Sequence, residues 1–219
     1  MNTEEFNQKI EKEISFFESC DSLSRYFENQ LNLIHNNIYR SVIADYLDNK
    51  VEKLHFERAT SSSGKYHPSF QNGKVGNGIH TKNVVKILQV FEKAHPELNW
   101  DAVYAAAILH DCWKYGYVAH EYTLSEHPIL AAESFKDFIK NKDKKEKYFL
   151  RKLKKTIDLT YKCIFYHDGR FNDTFKLKTD AAKVVPMRKI YRKINTAEQH
   201  LLHLADMISS SKDLYENVF

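Results

Sequence analysis

From Trp100 to His110 the sequence WDAVYAAAILH is apolar on nearly every side of a helix, and an adjacent histidine and aspartate, His110 and Asp111, stand at its end. A helix without a polar face has to run through the middle of a core, so the rest of the chain must wrap around it. The aspartate at its end is then costly. Stripping the partner from a buried charge costs about 3–5 kcal/mol, so Asp111 needs either water or a compensating cation.

The flanking segments have the spacing to do the wrapping. Phe6, Ile10, Ile14 and Phe17 recur at helical intervals after Thr3, and Leu23, Tyr26, Phe27 and Ile34 do so after Asp21, an N-cap candidate. A third helix is expected from Asn37 to His55. Residues 60–78, TSSSGKYHPSFQNGKVGNG, read as a long loop, and loops of that length are usually functional or mobile. From Ile79 a helix carries Val84, Ile87, Leu88 and Phe91 on one face and stops at His95-Pro96. Asn99 is placed to cap the central helix. Pro128 suits the first turn of a helix from Ile129 to Ile139, with His127 at its N-cap. A basic helix is expected from about Lys144 to His167, carrying Leu153, Ile157, Tyr161 and Ile164. The last helix starts with a capping box of Thr196 and Gln199. Between 174 and 185, Phe175, Leu177 and Thr179 alternate, the pattern of a short strand or hairpin. The expected fold is therefore all-α, a helical bundle over 59–219 with an N-terminal helical extension over 1–58.

Composition narrows the function classes. With 219 residues, 42% of them hydrophobic, the chain can bury one sizeable core. It has no run of 18 apolar residues, and MNTEEFNQKIEKEI lacks the basic start and apolar stretch of a signal peptide, so a cytoplasmic protein with no membrane segment is expected. Cys20, Cys112 and Cys163 are odd in number and have no C-x-x-C spacing, which suits reduced thiols. A net charge of +4 is compatible with a phosphate-bearing substrate but too small for a dedicated DNA binder. The run from Lys140 to Lys155 holds nine Lys or Arg, yet Asp143 and Glu146 interleave with them as on a solvated helix face; a nucleic-acid backbone patch is the weaker reading. The apolar faces of the first helices are available to pack on the domain or on a second copy of the chain.

Four histidines fall where a helix would turn them inward. His80 precedes Val84 by four residues, His110 ends the central helix, His127 precedes Pro128, and His167 follows Ile164 by three. Asp206, in HLLHLADMISS, lies four after Leu202. One inward histidine is ordinarily a satisfied core imidazole. Two carboxylates buried among four imidazoles cost too much unless something positive lies between them, and a divalent metal is the economical answer.

The ordered set His80, His110-Asp111, His127, His167, Asp206 resembles the HD-domain superfamily of metal-dependent phosphohydrolases in its binuclear form, over roughly residues 65–210. GIHTKNVVKIL, HDCWK, EHPILAAE and LLHLADMIS carry the resemblance. It implies an all-α fold in which His80, His110, Asp111 and Asp206 hold one metal, and His127 and His167 hold a second that Asp111 bridges. The two oxygens of a carboxylate allow that bridging, which a second imidazole would not. Lys114, in H-D-x-x-K, would neutralise a substrate phosphate oxygen. Cys112 and Trp113 are bulkier than the residues usual between that aspartate and lysine. KYHP brings Lys65 and His67 within reach of the site, and a similar entrance in some nuclease-like members makes His67 a substrate or third-metal candidate, against the plainer reading of an exposed loop histidine. Arg170 heads a basic segment between two ligand helices and is a further candidate for gripping phosphate. His120 competes with His127 but lacks the following proline.

The expected activity is hydrolysis of a phosphate ester of a nucleotide, cyclic nucleotide or oligonucleotide end by water activated between two divalent ions. A mixed His/Asp shell favours Mn or Fe, with Mg, Co, Ni or Zn as further candidates. Two alternatives use the same residues: a diiron oxygenase of the same superfamily, and a nucleotide-binding regulator without turnover.

Overall fold

The computed structural model describes residues 3–64, 67–168 and 195–212. Eleven α-helices and one 3-10 turn lie there, and no strand. They are α1 (Thr3–Ser19), α2 (Leu23–Tyr26), α3 (Glu28–Leu31), α4 (Asn37–Lys50), α5 (Leu54–Glu57), the 3-10 turn Ser69–Gln71, α6 (Gly76–Ala94), α7 (Trp100–Leu109), α8 (His127–Lys140), α9 (Lys144–Lys152), α10 (Lys154–Tyr166) and α11 (Ala197–Ser210). The described residues form an all-helical bundle, and none of these helices is long and apolar enough to cross a membrane.

Helix α7 is the axis, as its uniform apolarity requires: all of its residues but Asp101 are buried. Helices α6, α10 and α11 pack on it, and α3 and α4 cover another side. Asn99 caps it by accepting from the Ala102 N–H. One continuous core joins the early helices to the rest, from Phe17 and Tyr26 through Ile108 to Ala205. Buried hydroxyls tie the layers at defined points. Tyr39 donates to Thr160 Oγ1 (2.6 Å), and Tyr46 donates to Ser134 Oγ (2.9 Å) while accepting from the Trp113 indole N–H (3.0 Å).

Several boundaries differ from the sequence expectation. Ser22, not Asp21, accepts from the Arg25 N–H and caps α2. The helix after it is two short pieces, α2 and α3, and the one expected from Asn37 to His55 ends at Lys50, with α5 as a separate turn. The basic helix is broken at Leu153, whose φ of −98° and ψ of 9° leave helical geometry. A capping box of Asp143 and Glu146 opens its first part. Helix α6 starts at Gly76, inside the expected loop, and α8 starts at His127 itself with Glu126 as N-cap, Pro128 falling in the first turn. The strand or hairpin expected over 174–185 lies outside the described residues.

Candidate metal centre

Five helix ends or turns deliver the six expected ligands to one place. His80 projects from the second turn of α6 and Asp206 from the facing α11. His110 is the C-cap of α7 with Asp111 next to it, His167 is the C-cap of α10, and His127 opens α8. All four imidazoles and Asp111 are buried.

Each ring is held from behind. His110 Nδ1 donates to the Ala107 carbonyl (2.7 Å), His127 Nδ1 to that of Leu124 (2.6 Å), and His167 Nδ1 to that of Ile164 (2.7 Å). Every acceptor is three residues upstream; the Ala107 carbonyl is one that the end of α7 leaves unsatisfied, while those of Leu124 and Ile164 also accept the backbone N–H of the same histidine. A carbonyl only accepts, so each of these Nδ1 atoms carries a proton, and it is the Nε2 of each ring that turns inward. His80 Nδ1 lies 3.0 Å from Ser209 Oγ, a hydrogen bond that either atom can donate, and Ser209 Oγ accepts from Gln71 Nε2.

The inward nitrogens come in two facing pairs. His80 Nε2 and His110 Nε2 are 3.4 Å apart, and His127 Nε2 and His167 Nε2 are 3.2 Å apart. Two lone pairs at that distance repel unless a proton or a cation lies between them. Asp111 stands between the pairs and gives one oxygen to each. Its Oδ2 is 3.4 Å from His110 Nε2 and 3.7 Å from His80 Nε2, and its Oδ1 is 2.9 Å from His127 Nε2 and 3.7 Å from His167 Nε2. Asp206 Oδ1 joins the first pair at 3.0 Å from His80 Nε2.

Burial works against both carboxylates, yet His110 and Lys114 hold the Asp111 carboxyl well below its usual range, and a hydrogen bond with His80 lowers that of Asp206. Burial pushes His80 down to about 4, while His110 is raised because Asp111 and Asp206 outweigh its burial. Lys114 is an ion-pair partner of Asp111 Oδ2, and Asp111 and Asp206 keep its ammonium charged against the burial. Asp111 Oδ1 nevertheless accepts no hydrogen bond among the described residues. A buried carboxylate oxygen left so, facing two imidazole nitrogens, fits a metal ligand. Buried donor groups able to hold a metal ion are therefore present, as His80–His110–Asp206, His110–Asp111–His167 and His127–His167–Asp168.

No family model, curated protein or solved structure matches the chain.

The remaining expected residues divide. His67 reaches the site, its ring 5.4 Å from that of His80 and its Nδ1 donating to Gln71 Oε1 (3.0 Å); burial and Lys114 lower its pKa. Lys65 and Arg170 lie outside the described residues. His120 sits against Tyr122 and joins none of the ligand groups. Cys112 and Trp113 turn toward Tyr46 and His55, so their bulk fills core and not the space between the ligands. Sequence reasoning missed Gln71 and Ser209, which link His67 to His80, and it missed Asp168. The signal for Asp168 was present: His167-Asp168 is a second His-Asp dipeptide.

Proposed function

We propose that this chain is a metal-dependent phosphohydrolase of the HD-domain type, acting on a phosphate ester of a nucleotide, cyclic nucleotide or oligonucleotide end. The observation that carries the reading is the pair of facing Nε2 couples on either side of Asp111, with Lys114 beside them. His80, His110, Asp206 and Asp111 Oδ2 would hold one divalent ion, and His127, His167 and Asp111 Oδ1 a second. Such a pair of ions activates water near neutral pH and offsets charge on a phosphoryl group. A His/Asp donor set of this kind suits Mn or Fe.

The chain's own residues supply the rest. Lys114 is at present committed to Asp111, and once that carboxylate is neutralised otherwise, its ammonium is available to a phosphate oxygen. Asp168, Asp206 and Lys114 keep 23%, 17% and 11% of their side chains exposed, so substrate reaches the cluster past these three. His67 stands beside His80 at the same cluster and is placed to meet the substrate.

Metal content by elemental analysis, coupled to phosphate and nucleoside release from a nucleotide panel, tests the proposal on the natural chain, Asp111→Ala and Asp111→Asn. Two ions per chain and turnover that falls by about a thousand-fold or more in both variants is the expected result. Fewer than one ion in a metal-supplied preparation, with turnover unchanged by Asp111→Ala, would sink it. Oxygen consumption by the iron-loaded protein would replace hydrolysis with oxidation, and nucleotide retained without product would make the chain a regulator.

A further inference from the structure

Two helices of this protein end in the same way. At the end of α7, the C-cap His110 donates Nδ1–H to the carbonyl three residues back, and the following Asp111 turns its carboxylate to 3.4 Å from the Nε2 of that histidine. At the end of α10, the C-cap His167 donates Nδ1–H to the carbonyl three residues back, and the following Asp168 brings Oδ1 to 3.5 Å from its Nε2. The first of these units supplies the carboxylate between the two nitrogen pairs. The geometry points to the second doing the same kind of work: we infer that Asp168 is a direct ligand in the pocket of His127 and His167.

The side of the ring that Asp168 faces decides between ligand and brace. A carboxylate that merely orients a metal-binding histidine bonds to its outer nitrogen. In His167 that nitrogen is already taken by the Ile164 carbonyl, and Asp168 lies on the Nε2 side, toward the pocket. Ligand atoms of His127, His167 and Asp168 all fall within 4.8 Å of one another, a compass that one ion spans. Donor balance points the same way. His80, His110, Asp206 and Asp111 make two imidazoles and two carboxylates, whereas His127, His167 and Asp111 alone make a poorer set. Adding Asp168 equalises the pockets. Asp168 also lies at the more open edge, where a ligand is reachable from solvent.

The inference rests on the two-metal reading above, and its test separates the two. The metal-free full chain is titrated with Mn(II) alone, following free Mn(II) by electron paramagnetic resonance, for the natural protein, Asp168→Asn, Asp168→Glu and Asp206→Asn. The natural chain is expected to take up two ions. Asp168→Asn should keep one site unchanged and weaken the other by about ten-fold or more. Asp168→Glu should recover part of that loss, and Asp206→Asn should weaken the opposite site. In a parallel experiment Asp168→Cys is loaded with Co(II), and a thiolate-to-metal absorption band absent from the natural chain is expected. Two sites of unchanged affinity in Asp168→Asn would overturn the inference while leaving the two-metal reading intact. A weakened site in Asp168→Asn without a thiolate band in Asp168→Cys would also overturn it, reducing Asp168 to a brace for His167. Fewer than two ions on the natural chain would remove the reading beneath it.

Discussion

His55 is buried with no hydrogen-bond partner for either ring nitrogen among the described residues, its edge against Trp113 at 5.0 Å between ring centroids. Burial, reinforced by Arg58, pushes its pKa down to about 4. The unfolded chain takes up this proton near pH 6.5, so folding selects the neutral ring and its contribution is complete above that pH. As the pH falls from 6.5 toward 4 the unfolded state gains a proton that the folded state refuses, and stability should drop by about 3 kcal/mol. Melting temperatures of the metal-free protein should therefore fall more steeply over this window in the natural chain than in His55→Phe. Parallel slopes would show that His55 finds a partner in solution. The contrast with the site histidines is physical: their Nδ1 protons have acceptors and their Nε2 atoms face one another, whereas His55 has neither.

At the scale of elements, the way α6 begins governs how the site is supported. Val75, before its first residue, has a φ of 59°, which a β-branched side chain rarely adopts, and it is fully buried there. Gly76 follows, and a Cβ on it would collide with the Gln71 carbonyl and crowd Ala59. This close approach seats the 3-10 turn, whose Gln71 Nε2 donates to the Ser209 carbonyl (3.0 Å) and whose Oε1 receives His67. Through Ser209 the same link reaches His80. Gly76→Ala should then cost about 1–3 kcal/mol in urea unfolding, from displaced backbone in a packed region. Because Gln71 would move with it, the variant should also bind Mn(II) less tightly; a fully stable variant with unchanged binding would separate this turn from the site.

At the scale of the whole molecule, the described residues share one core, and the first helices supply a large part of it. Phe27, Ile34, Tyr39, Ile43, Tyr46, Leu47 and Phe56 are all fully buried. Each such side chain is worth about 1.5–3 kcal/mol on burial, so together they are at least comparable with the net stability of about 5–15 kcal/mol usual for a domain. Deleting residues 1–58 should leave a chain that does not fold: its circular dichroism should lose cooperative thermal unfolding, and it should bind a hydrophobic dye. A cooperative melt from residues 59–219 alone would show that the early helices are an accessory layer.

The all-helical class and the central position of α7 were legible in sequence, because periodicity of 3.6 and the lack of any polar face on 100–110 leave few alternatives. The caps at Asn99 and Thr196 were legible for the same local reason: a side chain bonding to a backbone N–H three residues on is a short-range event. So were the six inward residues, since histidine and aspartate on an apolar face demand compensation wherever the chain goes. The break at Leu153 and the division of the segment after Ser22 into α2 and α3 depend on what each piece packs against, which no local pattern carries. Tertiary structure also decided that Asp111 gives one oxygen to each nitrogen pair, that Gln71 and Ser209 stand behind His80, and that Asp168 faces the inner side of His167. Each is a distance between groups far apart in sequence or a choice of rotamer, and packing of the whole bundle sets both.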